Sequence, residues 1–148
     1  MLIRPAQKKD LVTCARLFHV PEVREANGEF LAPDFLMHYL DDKYFLVGEQ
    51  SGEVRGALFG EPLRARGVML LNFAVAEPHR GQGLGSALLN KFEANAKHDQ
   101  REWILIYAPL HNERTLKFYQ KRSYSRGDRL VEYLKLIDSP DLKSIYKI

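Results

Sequence analysis

Arg80-Gly81-Gln82-Gly83-Leu84-Gly85 decides the fold, because it joins two segments of different periodicity. Before it, Val68 to Ala76 is almost continuously apolar, the pattern of a strand covered on both faces. After it, Leu84, Leu88, Phe92 and Ala96 recur every four residues, the stripe of an amphipathic helix that begins near Gly83. Glycines at alternate positions leave a row of backbone N–H groups uncovered by side chains. The helix start adds its own unpaired N–H groups and the positive end of its dipole. A strand, glycine turn and helix in this order form a seat for a pyrophosphate.

Outward from this turn the chain alternates between the two periodicities. Leu2-Ile3-Arg4 reads as a short strand closed by Pro5, and Leu11, Cys14, Ala15 and Phe18 as the inner stripe of a helix ended by Pro21. Glu22 to Ala32 is polar and irregular, with Asn27-Gly28 as a turn signal. A second short helix is expected over Pro33 to Leu40, with Leu36, Tyr39 and Leu40 inward. Tyr44 to Val47 and Val54 to Phe59 read as a hairpin about Gln50-Ser51-Gly52-Glu53. Trp103 to Tyr107 reads as a further buried strand. A helix over Asn112 or Glu113 to Lys121 is expected to turn Leu116 and Tyr119 inward, and Leu130 to Ile137 reads as a final strand. This order fits one mixed sheet with helices on both faces, an α/β (α+β) chain.

Composition narrows the class. A chain of 148 residues that is 45% hydrophobic and 28% charged reads as one domain, spanning 1–148, with a real core. The opening residues turn charged at once, and no apolar run reaches the ~20 residues that cross a bilayer, so a cytoplasmic protein without a membrane partner is expected. Cys14 stands alone in an apolar stripe and reads as buried filler, not as a nucleophile. The net charge of +3 is mild and spread along the chain; it suits an anionic cofactor, and no nucleic-acid partner is expected. His19, His38, His79, His98 and His111 show no ligand spacing, so no metal is expected.

Two nucleotide fingerprints fail. Nothing matches G-x-x-x-x-G-K-[ST], and G-x-G-x-x-G breaks at Ser86 when counted from Gly81 and at Leu88 when counted from Gly83. The segment instead resembles the R-x-x-G-x-G/A pattern of the GNAT acetyltransferase superfamily. Asn112-Glu113-Arg114-Thr115-Leu116-Lys117-Phe118-Tyr119-Gln120-Lys121 resembles that family's N-x-x-A-x-x-F-Y-x-K pattern, with Thr115 for the usual Ala. The opening Ile3-Arg4-Pro5-Ala6 and the order of elements agree, so the resemblance covers essentially the whole chain.

The resemblance implies a largely antiparallel mixed sheet of about six to seven strands, splayed in the middle, with about four helices on its two faces. It implies acetyl-coenzyme A as cosubstrate and an amine as acceptor. Backbone groups around Phe73, Ala74 and Val75 would bond the pantetheine arm. Arg80, Gly81, Gln82, Gly83, Leu84, Gly85 and Ser86 would form the pyrophosphate turn, with Arg80 ordering the turn or lending charge. Asn112 corresponds to a residue that bonds the cofactor arm, with a helix N-cap as its lesser reading. Tyr119 corresponds to the family's general acid, which gives a proton to the departing thiolate; taken alone it would read as a packed core aromatic. Similar proteins are commonly dimers, which carries over as an expectation of a homodimer.

The sequence departs from the family pattern in three respects. Neither Val68 to Phe73 nor Ile104 to Ala108 carries the carboxylate that often serves as base, and Asn72 cannot accept a proton usefully. Glu29, Asp34, Glu61, His111 and Glu132 are other candidates, each of which reads first as a solvated surface residue; a water-relayed transfer is therefore expected. Ser123 stands where Gly is usual and Tyr124 where Phe is usual. The rival reading is a non-catalytic coenzyme A-binding sensor of the same fold.

Overall fold

The computed structural model describes residues 1–19, 31–40 and 42–128. The elements run β1 (Leu2–Pro5), α1 (Leu11–Leu17), α2 (Pro33–Leu36), β2 (Phe45–Gln50), β3 (Glu53–Pro62), β4 (Gly67–Val75), α3 (Leu84–His98), β5 (Trp103–Ile106) and α4 (Glu113–Gln120). The strands lie in the sheet in chain order, β1-β2-β3-β4-β5. Pairing is antiparallel up to β4, and the β4–β5 pair is parallel, as the α3 crossover requires. Among the described residues the sheet has five strands, fewer than the six to seven expected. The strand expected at Leu130 to Ile137 lies outside the described residues.

Alternation along the strands divides the core in two. Phe45, Val47, Ala57 and Phe59 face α1 and α2, where Leu11, Cys14, Phe18 and Leu36 are buried. Leu46, Leu58, Val68 and Leu70 face α3, where Leu84, Leu88, Leu89, Phe92 and Ala96 are buried. The four-residue repeat of α3 thus faces the sheet throughout. Gly48 lets α3 come this close, since a Cβ there would sit 2.5 Å from Leu84 Cδ1. The second helix is shorter than expected: α2 ends at Leu36 and tightens into a 3-10 turn over Met37–Tyr39. Arg4 ties the first elements together. It holds Asp10 with Nη1 and Nη2 at 2.6 and 3.0 Å, and its Nε lies 2.9 Å from Glu49 Oε1 on β2.

Two features of β4 matter for the site, and periodicity does not reveal either. Register slips between Phe59↔Asn72 and Gly60↔Leu70, leaving Leu71 as a bulge. The slip resets the alternation, so Leu71 and Ala74 pack toward α1 while Phe73 and Val75 pack toward α3. Pairing with β5 ends at Leu70↔Ile106, whereas β4 continues to Val75. Its last residues therefore have one open edge among the described residues, the splay that the resemblance implied. β5 is less covered than its composition predicts: Trp103 is 41% exposed, and β5 borders only β4 among the described residues.

Candidate active site

The open edge of β4 has a defined set of polar groups. Ala76 N–H bonds the Arg55 carbonyl of β3 at 2.8 Å. Alternation then turns the polar groups of Ala74 toward β3 and those of Phe73 and Val75 toward the open edge. Of the three residues expected to meet a cofactor arm, Ala74 already spends its backbone bonds within the sheet. The Val75 carbonyl accepts Arg80 Nε at 2.8 Å. Phe73 N–H, Phe73 C=O and Val75 N–H are left as edge groups.

After Val75 a 3-10 turn over Glu77–His79 carries the chain into the glycine segment. Gly81 and Gly83 hold φ of +79° and +87°, and a Cβ at either would meet nothing within 4 Å. Glycine is needed there for backbone conformation, and the open space beside it is where a ligand can approach. Gly83 caps α3, so the N–H groups of Leu84, Gly85 and Ser86 have no intrahelical acceptor. Gln82 donates to the Pro78 carbonyl at 2.9 Å and braces the turn. These groups fit a pyrophosphate: an exposed N–H row at the positive end of a 15-residue helix.

The remaining two positions of the segment have other work. Leu84 is fully buried, so its side chain belongs to the core and only its N–H faces the turn. A Cβ on Gly85 would lie 3.4 Å from Phe73 Cζ, 3.6 Å from Val75 Cγ2 and 4.0 Å from Phe118 Cζ. Gly85 is therefore the point where the first turn of α3, the open end of β4 and α4 meet.

α4 brings the other predicted residues to this point. Asn112 is the N-cap of α4, its Oδ1 accepting Thr115 N–H at 3.1 Å. That settles the cap reading and leaves its amide N–H groups for another partner. Phe118 packs on Phe73 with ring centroids 5.9 Å apart. Tyr119 lies against Phe118 and Tyr124 at 5.4 and 5.5 Å. Burial pushes the Tyr119 phenol well above the usual tyrosine value, so it keeps its proton across the neutral range. Among the described residues the Tyr119 hydroxyl has no hydrogen-bond partner.

Among the described residues no base candidate is tied to this group by a hydrogen bond or ring contact. Glu61 pairs with Met69, about 20 Å along β4 from Val75 at strand rise. Asp34 and His111 are exposed, and Glu29 and Glu132 lie outside the described residues. Asn72 is buried at the bulge. Cys14 is in the opposite core layer, where burial pushes its thiol up to about 12, which rules it out as a nucleophile near neutrality. Two residues to which the sequence assigns no role at the site also belong here. Glu93 on α3 and Tyr124 after α4 bond each other at 3.0 Å beside Tyr119.

Among the described residues no helix is long and apolar enough to cross a membrane, and no group of three or more metal-ligating side chains gathers. The solved structures similar to this one include Ard1 from Thermoplasma volcanium, with TM-score 0.76, 22% identity, and 86% of this chain and 84% of that chain covered. A ribosomal-protein-alanine N-acetyltransferase from Brucella melitensis aligns with TM-score 0.70 and 20% identity over 82% of this chain and 83% of its own. An aminoglycoside antibiotic 6'-N-acetyltransferase from Acinetobacter haemolyticus aligns with TM-score 0.72 and 18% identity over 93% of this chain and 100% of its own. At these identities the likeness is one of fold. The model of the acetyltransferase (GNAT) family matches residues 11–124, from α1 through the glycine turn to Tyr124, and the chain belongs to that family.

Proposed function

We propose that the protein is an N-acetyltransferase that moves the acetyl group of acetyl-coenzyme A directly to an amine. The observation that carries this reading is the meeting at Gly85 of the open β4 edge, the glycine turn and the α4 segment bearing Tyr119. Phe73 and Val75 would hold the pantetheine arm as a neighbouring strand would. The N–H groups of Gly81 to Ser86 would hold the pyrophosphate, with Arg80 fixing the turn to β4. Asn112 would use its free amide N–H groups on the arm. When bound, the cosubstrate supplies an acetyl thioester open to attack by an amine.

Tyr119 is the general acid in this reading. Its hydroxyl is protonated at neutral pH and is not claimed by another side chain of the described residues, so it is available to the departing sulfur. The amine's own proton leaves through water, because β4 and β5 carry no carboxylate. Rate then follows the titration of the free amine rather than that of an enzyme group. With Cys14 buried in the other core layer, transfer is direct, without an acyl-enzyme.

The names of two similar proteins suggest two arms of the acceptor panel, peptides with an N-terminal alanine and aminoglycosides, and lysine peptides form a third. Calorimetry with acetyl-coenzyme A is expected to give binding, and thiol release is expected to appear with one class of amine. The absence of a carboxylate on β4 and β5 favours one alternative, a non-catalytic coenzyme A-binding sensor. Binding without thiol release across the panel would decide for the sensor, and no binding would overturn both readings.

A further inference from the structure

Tyr119 is held in part by an arrangement built from α3 and the turn that follows α4. The last turn of α4 closes as a Schellman motif, with Tyr124 N–H on the Tyr119 carbonyl at 3.2 Å and Ser123 N–H on the Gln120 carbonyl at 3.1 Å. This folds Tyr124 back over Tyr119, ring against ring, at 63°. The Tyr124 hydroxyl donates to Glu93 Oε1 at 3.0 Å. Arg122, from the same turn, reaches Glu93 Oε2 at 3.3 Å, bonds Asn90, and lies over the Phe118 ring at 5.8 Å. Glu93 thus binds two side chains from one turn, one through each carboxylate oxygen.

α4 needs such a tether. None of its residues is fully buried, so burial alone does not fix the height or tilt of the helix over the β4 edge. The Tyr119 ring has aromatic contacts and its hydroxyl has no partner of its own among the described residues. The direction of that hydroxyl is set by the two rings Tyr119 leans on, Phe118 and Tyr124, and Tyr124 is in turn fixed to α3 by a hydrogen bond to a carboxylate, a strong type. α3 is fixed to the sheet by its whole buried face.

We propose that the Glu93–Tyr124 hydrogen bond, backed by Arg122, positions the Tyr119 phenol for proton donation, so that Tyr124 and Glu93 are positioning residues of the reaction. The inference rests on the acid role given to Tyr119. Tyr124→Phe removes one oxygen and keeps the ring; Glu93→Ala removes both tethers; Glu93→Gln keeps an acceptor for the Tyr124 hydroxyl.

The test compares kcat and KM for acetyl-coenzyme A, with the best amine of the panel, in these variants and in the Tyr119→Phe background. Tyr124→Phe is expected to lower kcat about tenfold at a KM within about twofold of wild type, the cost of a slightly misplaced group. Glu93→Ala is expected to do the same and Glu93→Gln to recover most of the loss. In Tyr119→Phe, adding Tyr124→Phe is expected to change nothing further, because the group being positioned is gone. Hydrogen exchange of the Arg122 and Tyr124 amides, without cofactor, is expected to quicken in Tyr124→Phe. Unchanged kcat and exchange in Tyr124→Phe, with Tyr119→Phe impaired, would overturn this inference alone. An equal loss in both backgrounds would reduce Tyr124 to a packing role. No effect of Tyr119→Phe itself would overturn the acid assignment beneath it.

Discussion

Arg80 Nε donates to the carbonyl of Val75 at 2.8 Å, so the residue that opens the glycine turn is fastened to the last residue of β4. The side chain closes a loop around the Glu77–His79 turn and fixes the N–H row relative to the strand edge. Replacing it by Met removes that bond and leaves the fold's core untouched. Arg80→Met is expected to weaken acetyl-coenzyme A binding about tenfold by calorimetry, with little change in thermal midpoint.

The three glycines of the turn are not equivalent. Gly81→Ala and Gly83→Ala force a Cβ into left-handed backbone and are expected to cost roughly 1–2 kcal/mol each and to weaken cofactor binding. At Gly85 the contacts a Cβ would make are ordinary van der Waals distances. Gly85→Ala is expected to keep both stability and binding close to wild type, measured by urea melts and calorimetry.

Ser123 occupies the left-handed position of the Schellman motif with φ of +65°. A side chain is disfavoured there, so Ser123→Gly is expected to raise stability by about 1 kcal/mol in a urea melt, leaving kcat unchanged.

Much of this is legible in the sequence. The repeat Leu84, Leu88, Phe92, Ala96 became the buried face of α3, because a helix on a sheet must show one stripe. The glycine turn and Asn112 to Tyr119 were readable as two motifs, but their meeting at Gly85 depends on the parallel β4–β5 crossover. Asn112 as N-cap is the lesser of its two readings in the sequence, and the bond from Thr115 N–H shows it. The Leu71 bulge left no trace in periodicity, since an apolar run looks the same before and after a slip. The Glu93–Tyr124 bond joins residues 31 positions apart, and its geometry follows from how α3 and α4 pack. The exposure of Trp103 escaped for a similar reason: burial of an apolar strand depends on its neighbours.

The Arg4, Asp10 and Glu49 cluster predicts behaviour under mutation. Asp10 is almost fully buried, so Arg4→Leu would leave its carboxylate unpaired, at an expected cost of about 3 kcal/mol in a urea melt.

Stability depends on pH through Asp10 and Asp99 on the acid side and through Cys14, Tyr44, Tyr119 and Tyr124, all raised, on the alkaline side. Burial raises the Asp10 carboxyl, but the bonds from Arg4 and from Gln7 N–H outweigh it and leave it below the usual value. The Lys43 ammonium, opposed by desolvation and helped by Tyr44, holds Asp99 down to about 2. Both are lowered in the fold, so their stabilisation is present above about pH 4 and is lost as pH falls toward the folded values. Burial, with the bond to Asp99, pushes Tyr44 up to about 12. Its contribution is full below about pH 10 and is lost above it. Urea melts are expected to give a plateau between about pH 4 and pH 9, above which the Cys14 thiol ionises in the unfolded chain, and Tyr44→Phe is expected to remove part of the alkaline limb.

Acetyl transfer with Tyr119 as proton donor stands or falls on the kcat of Tyr119→Phe. With the best amine of the panel, the variant is expected to bind acetyl-coenzyme A as wild type does and to lose about a hundredfold in kcat. Wild-type kcat in a folded Tyr119→Phe protein would contradict it.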